Sequence, residues 1–138
     1  FIDVSAAAIP DPVMDRSGRG SALLDFDSDG DMDIVVNCMD SSPLLLENQS
    51  ERGNWLQVAL GGPSARTYGV RVVARSGENR WTRIVDGGSG YLSQNSQILH
   101  FGFGSVDRID ELIVFWPHCD PQTISSPEIN RRMTVKCP

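Results

Sequence analysis

The chain has 138 residues, room for one ordinary domain or two very small ones. Its 40% hydrophobic and 22% charged residues fit a globular protein and argue against disorder. The formal net charge of −6 disfavours a nucleic-acid partner, which needs a basic surface, and no apolar run approaches the ~20 residues that span a bilayer.

In chain order, the opening Phe-Ile-Asp-Val has neither a basic region nor a long apolar stretch, and no initiator Met. A processed or excised piece of a longer precursor is therefore expected. Ser21-Ala22-Leu23-Leu24 reads as a strand leading into an aspartate cluster, and Met32, Ile34 and Val36 alternate after it as the strand leading out. The polar segment Glu47–Asn54 marks a junction between an N-terminal unit, 1–50, and a β domain, 54–138. The first unit is too small to bury a core alone, so it is expected to pack on the second or to continue a repeat array.

Downstream, Leu56, Val58 and Leu60 alternate until the breaker Gly61-Gly62-Pro63. Val70, Val72 and Ala74 alternate up to the turn signal Ser76-Gly77-Glu78-Asn79, and Trp81–Val85 is the return strand of a hairpin. Leu99, Phe101 and Phe103 alternate next. Leu112–Trp116 is a continuous apolar run, predicted to be buried on both faces and stopped by Pro117, and Met133-Thr134-Val135 closes the chain. Helical periodicity is almost absent. Many short strands between turn signals predict an all-β, sandwich-like architecture.

The segment Asp25-Phe26-Asp27-Ser28-Asp29-Gly30-Asp31-Met32-Asp33 follows D-x-D-x-D-G-x-x-D. Ca²⁺ is a hard cation that takes six to eight oxygens at about 2.3–2.6 Å. In this pattern Asp25, Asp27 and Asp29 offer side chains at alternate positions, and Gly30 supplies a sharp turn. Asp31 is expected to give its backbone carbonyl, and Asp33 to close the site directly or through a water. An EF-hand places a bidentate Glu at position 12, on a helix; here that position is Val36, in a strand. The competing reading is a bare acidic turn, but five unpaired carboxylates this close repel one another. Mg²⁺ prefers a smaller octahedral shell, and an all-oxygen ligand set disfavours Zn²⁺.

These residues carry a resemblance. Gly18-Arg19-Gly20, the aspartate core and Asp33-Ile34-Val35-Val36-Asn37 are similar to an FG-GAP/VCBS repeat, a Ca²⁺-binding blade unit. Asn54–Leu60, Tyr68–Val72, Gly88-Ser89-Gly90-Tyr91-Leu92-Ser93-Gln94-Asn95, Leu99–Gly104 and Val114-Phe115-Trp116-Pro117 resemble an ASPIC/UnbV domain. The resemblance implies a secreted, extracellular or periplasmic protein with a Ca²⁺-binding, adhesion or interaction role, its partner a protein or a carbohydrate. UnbV-like relatives encoded with enediyne biosynthesis imply the alternative, an accessory protein or enzyme acting on a small molecule. The chain departs from the pattern in Ser64-Ala65-Arg66-Thr67-Tyr68, where the family often has Asn-Arg before the glycine, and in His118-Cys119 after Trp-Pro.

The three cysteines fit no zinc spacing. Cys119 and Cys137 form one disulfide if the protein is secreted; spacing alone does not fix connectivity, and Cys38 is left over as a buried thiol. Catalytic readings are weak. Gly87-Gly88-Ser89-Gly90 lacks the Lys-Ser/Thr and helix of a phosphate loop, and neither Ser89 nor Ser93 stands in a nucleophile elbow with His100. A concave pocket lined by Tyr91, Ser93, Gln94 and His100 is what a small-molecule function requires. Trp55, Trp81 and Trp116 are candidate sugar platforms, with core packing the stronger reading for Trp116.

Overall fold

The alternation of apolar residues builds two facing sheets. The computed structural model describes residues 2–3, 5–9, 16–51, 53–62, 67–88 and 90–137. Arg52, the segment 63–66 and Ser89 therefore lie outside the described residues, and with them the Asn-Arg departure and one candidate nucleophile.

The strands are β1 (Gly18–Leu24), β2 (Asp33–Cys38), β3 (Leu44–Leu46), β4 (Asn54–Gly61), β5 (Arg71–Ser76), β6 (Asn79–Ile84), β7 (Leu99–Gly104), β8 (Glu111–Phe115), β9 (Gln122–Ser125) and β10 (Arg131–Lys136). The only helix among the described residues is one turn, Ser5–Ala8. The protein is thus all-β, as its strand periodicities predict.

Three sheets form. One is the antiparallel meander β1-β2-β3; a second has the order β10-β4-β7, with β10 parallel to β4; the third is β6-β5-β8-β9, antiparallel throughout. The second and third share one core. Leu56, Val58, Leu99, Phe101, Phe103 and Val135 come from the second; Val72, Ala74, Leu112 and Val114 from the third. The predicted hairpin is β5–β6, turning at Gly77 with φ 54°. β8 corrects one expectation: Leu112 and Val114 are buried, but Ile113 and Phe115 only partly, so the strand has one core face and one half-covered face. Arg71, whose guanidinium carbon lies 3.9 Å from the Phe115 ring centre, covers part of the second.

Cys119 and Cys137 form a disulfide, 18 residues apart, and Cys38 is a buried free thiol. Closing an 18-residue loop in the unfolded chain corresponds to about 3 kcal/mol on the chain-entropy account. Reduction is expected to lower the free energy of unfolding by about that amount, read as a lower urea midpoint; an unchanged midpoint in reductant contradicts it.

Strand periodicity also decides what faces away from the core. Leu56 and Val58 point inward on β4, so Trp55 and Gln57 point outward. On β7, His100 does the same between Leu99 and Phe101. The register sets Arg132 beside Gln57 and Gln57 beside His100, a polar row across the outer face of the second sheet. The loop joining β1 to β2 packs over this row.

Candidate metal centre

The chain winds tightly between β1 and β2. Ser28 (φ 64°) and Gly30 (φ 96°) both take left-handed conformations, which reverse the chain around its own carboxylates. Asp25 accepts the backbone N–H of Asp29 on Oδ1 (3.1 Å) and that of Gly30 on Oδ2 (3.2 Å). Asp27 Oδ1 accepts from Asp29 N, and Asp29 Oδ1 from Asp31 N at 3.1 Å. One carboxylate oxygen from each of Asp25, Asp27 and Asp29 lies within 4.8 Å of the others. Two oxygens on opposite sides of one Ca²⁺ are at most about 4.6–5.2 Å apart, so this group can share one such ion.

Asp31 and Asp33 stand differently. The carboxylate oxygens of Asp31 are out of solvent. Asp33 is 1% exposed, and both its oxygens are used: Oδ2 accepts the N–H of Phe26 (3.0 Å) and Oδ1 that of Asn48 (2.9 Å). It pins the start of the loop to the segment after β3. The five aspartates of the motif thus divide into a converging group of three, one enclosed neighbour and one backbone clamp.

The loop rests on the second sheet. Gln57, 2% exposed, donates from Nε2 to Asp25 Oδ2, while its Oε1 accepts from Arg132 Nε (2.7 Å). The Trp55 ring lies flat against Gly30, so close that a Cβ there would stand 2.0 Å from Cε2. Trp55 also stacks on His100, with ring centres 6.4 Å apart. Burial holds the His100 imidazole below its ordinary pKa, and Arg83 adds to this, against the Asp25 carboxylate, which pulls upward. Leu23 and residues 95–96 complete the junction: Asn95 Oδ1 accepts from Leu23 N (2.9 Å), and Ser96 N donates to Leu23 O (3.2 Å). Trp55, Gln57 and Arg132 escape sequence reading as parts of this site. A buried polar residue in an alternating strand carries the same pattern as a solvated one.

The residues considered for a small-molecule pocket do not converge. His100 lines a cavity of about 240 Å³ with Leu23, Arg83, Asn95 and Gln97, and another of about 300 Å³ with Asp31, Asn48 and Trp55. Tyr91 is 67% exposed, Gln94 donates to the Tyr68 hydroxyl (3.2 Å), and Ser93 Oγ is folded into the turn against Gly90. Among the described residues no helix follows Gly88; the Gly90–Ser93 bridge closes a tight turn there. Packing accounts for all three indoles, since Trp116 is buried and Trp81 meets Phe103 edge-on at 5.1 Å.

Residues 61–138 match the family described as ASPIC and UnbV. The chain is 35% identical over 136 residues to cartilage acidic protein 1 of Xenopus tropicalis, covering 90% of this chain and 20% of that protein. It is 33% identical over 144 residues to cartilage acidic protein 1 of Mus musculus and of Homo sapiens, covering 94% of this chain and 21% of each. The chain therefore spans about a fifth of the length of these relatives.

Proposed function

The chain belongs to the ASPIC/UnbV family, and from that premise we propose that it is a Ca²⁺-stabilised extracellular binding or structural module rather than an enzyme. The observation that carries the reading is the convergence of Asp25, Asp27 and Asp29 inside a loop wound by Ser28 and Gly30. The donor set fits the ion: hard, anionic, all-oxygen, and spanned by a distance that Ca²⁺ can bridge. Asp31 would add its backbone carbonyl, and Asp33 would close the site directly or through a water. Ca²⁺ would neutralise the carboxylates and tie the strand before the loop to the strand after it. The disulfide supports an oxidising, extracytoplasmic setting, and relatives named for cartilage agree with one.

Residues 1–50, in this reading, are one VCBS-type repeat and residues 54–138 the ASPIC/UnbV domain. The β1–β3 sheet supports the first part. Leu23, Ile34, Val36, Leu44 and Leu46 share one of its faces and Ala22, Leu24, Val35 and Leu45 the other, yet none of them is fully buried. A sheet apolar on both faces suits an array in which neighbouring units cover it. The physiological partner is a protein or carbohydrate at an extracellular surface. The small-molecule reading has no comparable support, because its candidate residues are dispersed.

Calorimetric titration of the folded chain with CaCl₂ tests the proposal, alongside thermal melts in Ca²⁺ and in EGTA. An ion that binds only the native state contributes about 2.7 kcal/mol at a hundredfold excess over Kd, a rise of roughly 6–12 °C for a chain this size. Asp27→Ala is expected to remove most of that rise. Equal melting temperatures in Ca²⁺ and EGTA, with no heat of association, reject the proposal.

A further inference from the structure

We propose that Gln57 is a positioning residue for the cation, so that the Ca²⁺ affinity of the aspartate loop is set by the β10-β4-β7 sheet it rests on. This inference depends on the Ca²⁺ reading given above.

The first step is the direction of the Gln57 amide. An arginine guanidinium only donates hydrogen bonds, so the group that Arg132 Nε meets at 2.7 Å must be the amide oxygen. That leaves Nε2 as the atom facing Asp25, and it donates to Oδ2. Arg132 thereby fixes the one orientation of Gln57 that a carboxylate accepts. The reversed amide would set its oxygen against the Asp25 oxygen and its NH₂ against the guanidinium, repulsive at both ends.

The second step is burial. Gln57 is 2% exposed, so water does not compete for its donor, and desolvation of an unmatched amide at this depth is unfavourable. Its partner carries the load of the loop: Asp25 also accepts the N–H groups of Asp29 and Gly30. Oδ2 is shared between Gly30 N and Gln57 Nε2, whereas Asp29 N donates to Oδ1. Gln57 therefore fixes the rotation of the carboxylate at the first position of the motif. Outer partners that hold a ligating carboxylate typically change metal affinity by about 10–100-fold when removed.

The third step is register. Arg132, Gln57 and His100 sit side by side on β10, β4 and β7, so the relay is built into the pairing of three strands of the second sheet. None of the three belongs to the aspartate motif. The loop alone, excised from this sheet, lacks the donor that orients Asp25.

Gln57→Leu and Arg132→Met in the 138-residue chain test this, with Ca²⁺ affinity by calorimetry and thermal stability in EGTA measured for each. Gln57→Leu keeps the volume and removes the donor; it is expected to raise Kd about 10–100-fold. Arg132→Met removes only the orienting charge from an exposed position, and is expected to raise Kd less, in the same direction. A merely structural role predicts the opposite split: lower stability in EGTA with Kd unchanged. Wild-type Kd in Gln57→Leu overturns the inference while leaving Ca²⁺ binding intact. Absence of binding by the wild-type chain instead overturns the Ca²⁺ reading, and this inference with it. Should Gln57→Leu fail to fold, Arg132→Met decides: a raised Kd supports the relay, and an unchanged one rejects it.

Discussion

Gly30→Ala is expected to abolish the Ca²⁺-dependent rise in melting temperature and to lower stability by roughly 2–5 kcal/mol even in EGTA. Two physical terms add. Gly30 has φ 96°, a conformation that L side chains rarely adopt and that costs an alanine about 1–2 kcal/mol. The new methyl would also stand 2.0 Å from Trp55 Cε2 and 2.1 Å from Nε1. The indole has little freedom to retreat. The Trp55 backbone is held on both sides, its N–H donating to Asn130 Oδ1 (3.0 Å) and its carbonyl accepting from Asn130 N (2.6 Å), and the ring stacks on His100. Either the loop or the tryptophan must move, and moving the loop disperses Asp25, Asp27 and Asp29.

Gly77→Ala separates the two terms. Gly77 also has a positive φ, 54°, but a Cβ there meets nothing within 4 Å, so only the backbone cost of about 1 kcal/mol applies. A Gly30→Ala, Trp55→Leu double variant should recover part of the larger loss, since close neighbours couple. Urea unfolding in EGTA measures all four proteins. Equal losses for Gly30→Ala and Gly77→Ala would show that Trp55 does not brace the loop.

The sequence made the sandwich legible because its strands alternate cleanly. Leu56/Val58, Val72/Ala74 and Leu99/Phe101/Phe103 each give one face to the core, and the hairpin at Gly77 follows from Ser-Gly-Glu-Asn. β3 and β9 were hidden for opposite reasons: Leu44-Leu45-Leu46 has no periodicity at all, and Gln122-Thr123-Ile124-Ser125 has a single apolar residue. The continuous run Leu112–Trp116 suggested burial on both faces, whereas an apolar face half-covered by Arg71 reads the same way in sequence.

The aspartate loop was readable from spacing and composition, because alternate acidic positions and a glycine are local features. The division of labour within it was not. Asp33, at the ninth position of the motif, also anchors the loop: its oxygens accept N–H groups from Phe26 and Asn48, and the second of these lies 15 residues away. The floor of the site comes from β4 and β10, far downstream in the chain. Gln57 meets Asp25 across 32 residues and Arg132 across 75, distances over which spacing carries no signal.

Phe101→Ala addresses the other half of the molecule and is expected to cost about 3–5 kcal/mol, the range for truncating a buried phenylalanine. Phe101 is fully buried at the centre of β7, and its ring stacks on Phe103 at 6.2 Å, which in turn meets Trp81 edge-on. Removing it deletes one member of an aromatic row that spans the two sheets, and β7, held in its ladder with β4 and packed against the facing sheet, collapses only partly into the cavity. For a domain with a total stability of about 5–15 kcal/mol, such a loss is a large fraction. The urea midpoint should fall with an unchanged slope, because the exposed area on unfolding stays nearly the same. Leu92→Ala is the matched control: Leu92 is 89% exposed, with φ 47°, and its truncation is expected to change stability by no more than about 0.5 kcal/mol. A Phe101→Ala loss below about 1 kcal/mol would mean that the aromatic row is not the keystone between the sheets, and that Leu56, Leu112 and Val114 hold them together without it.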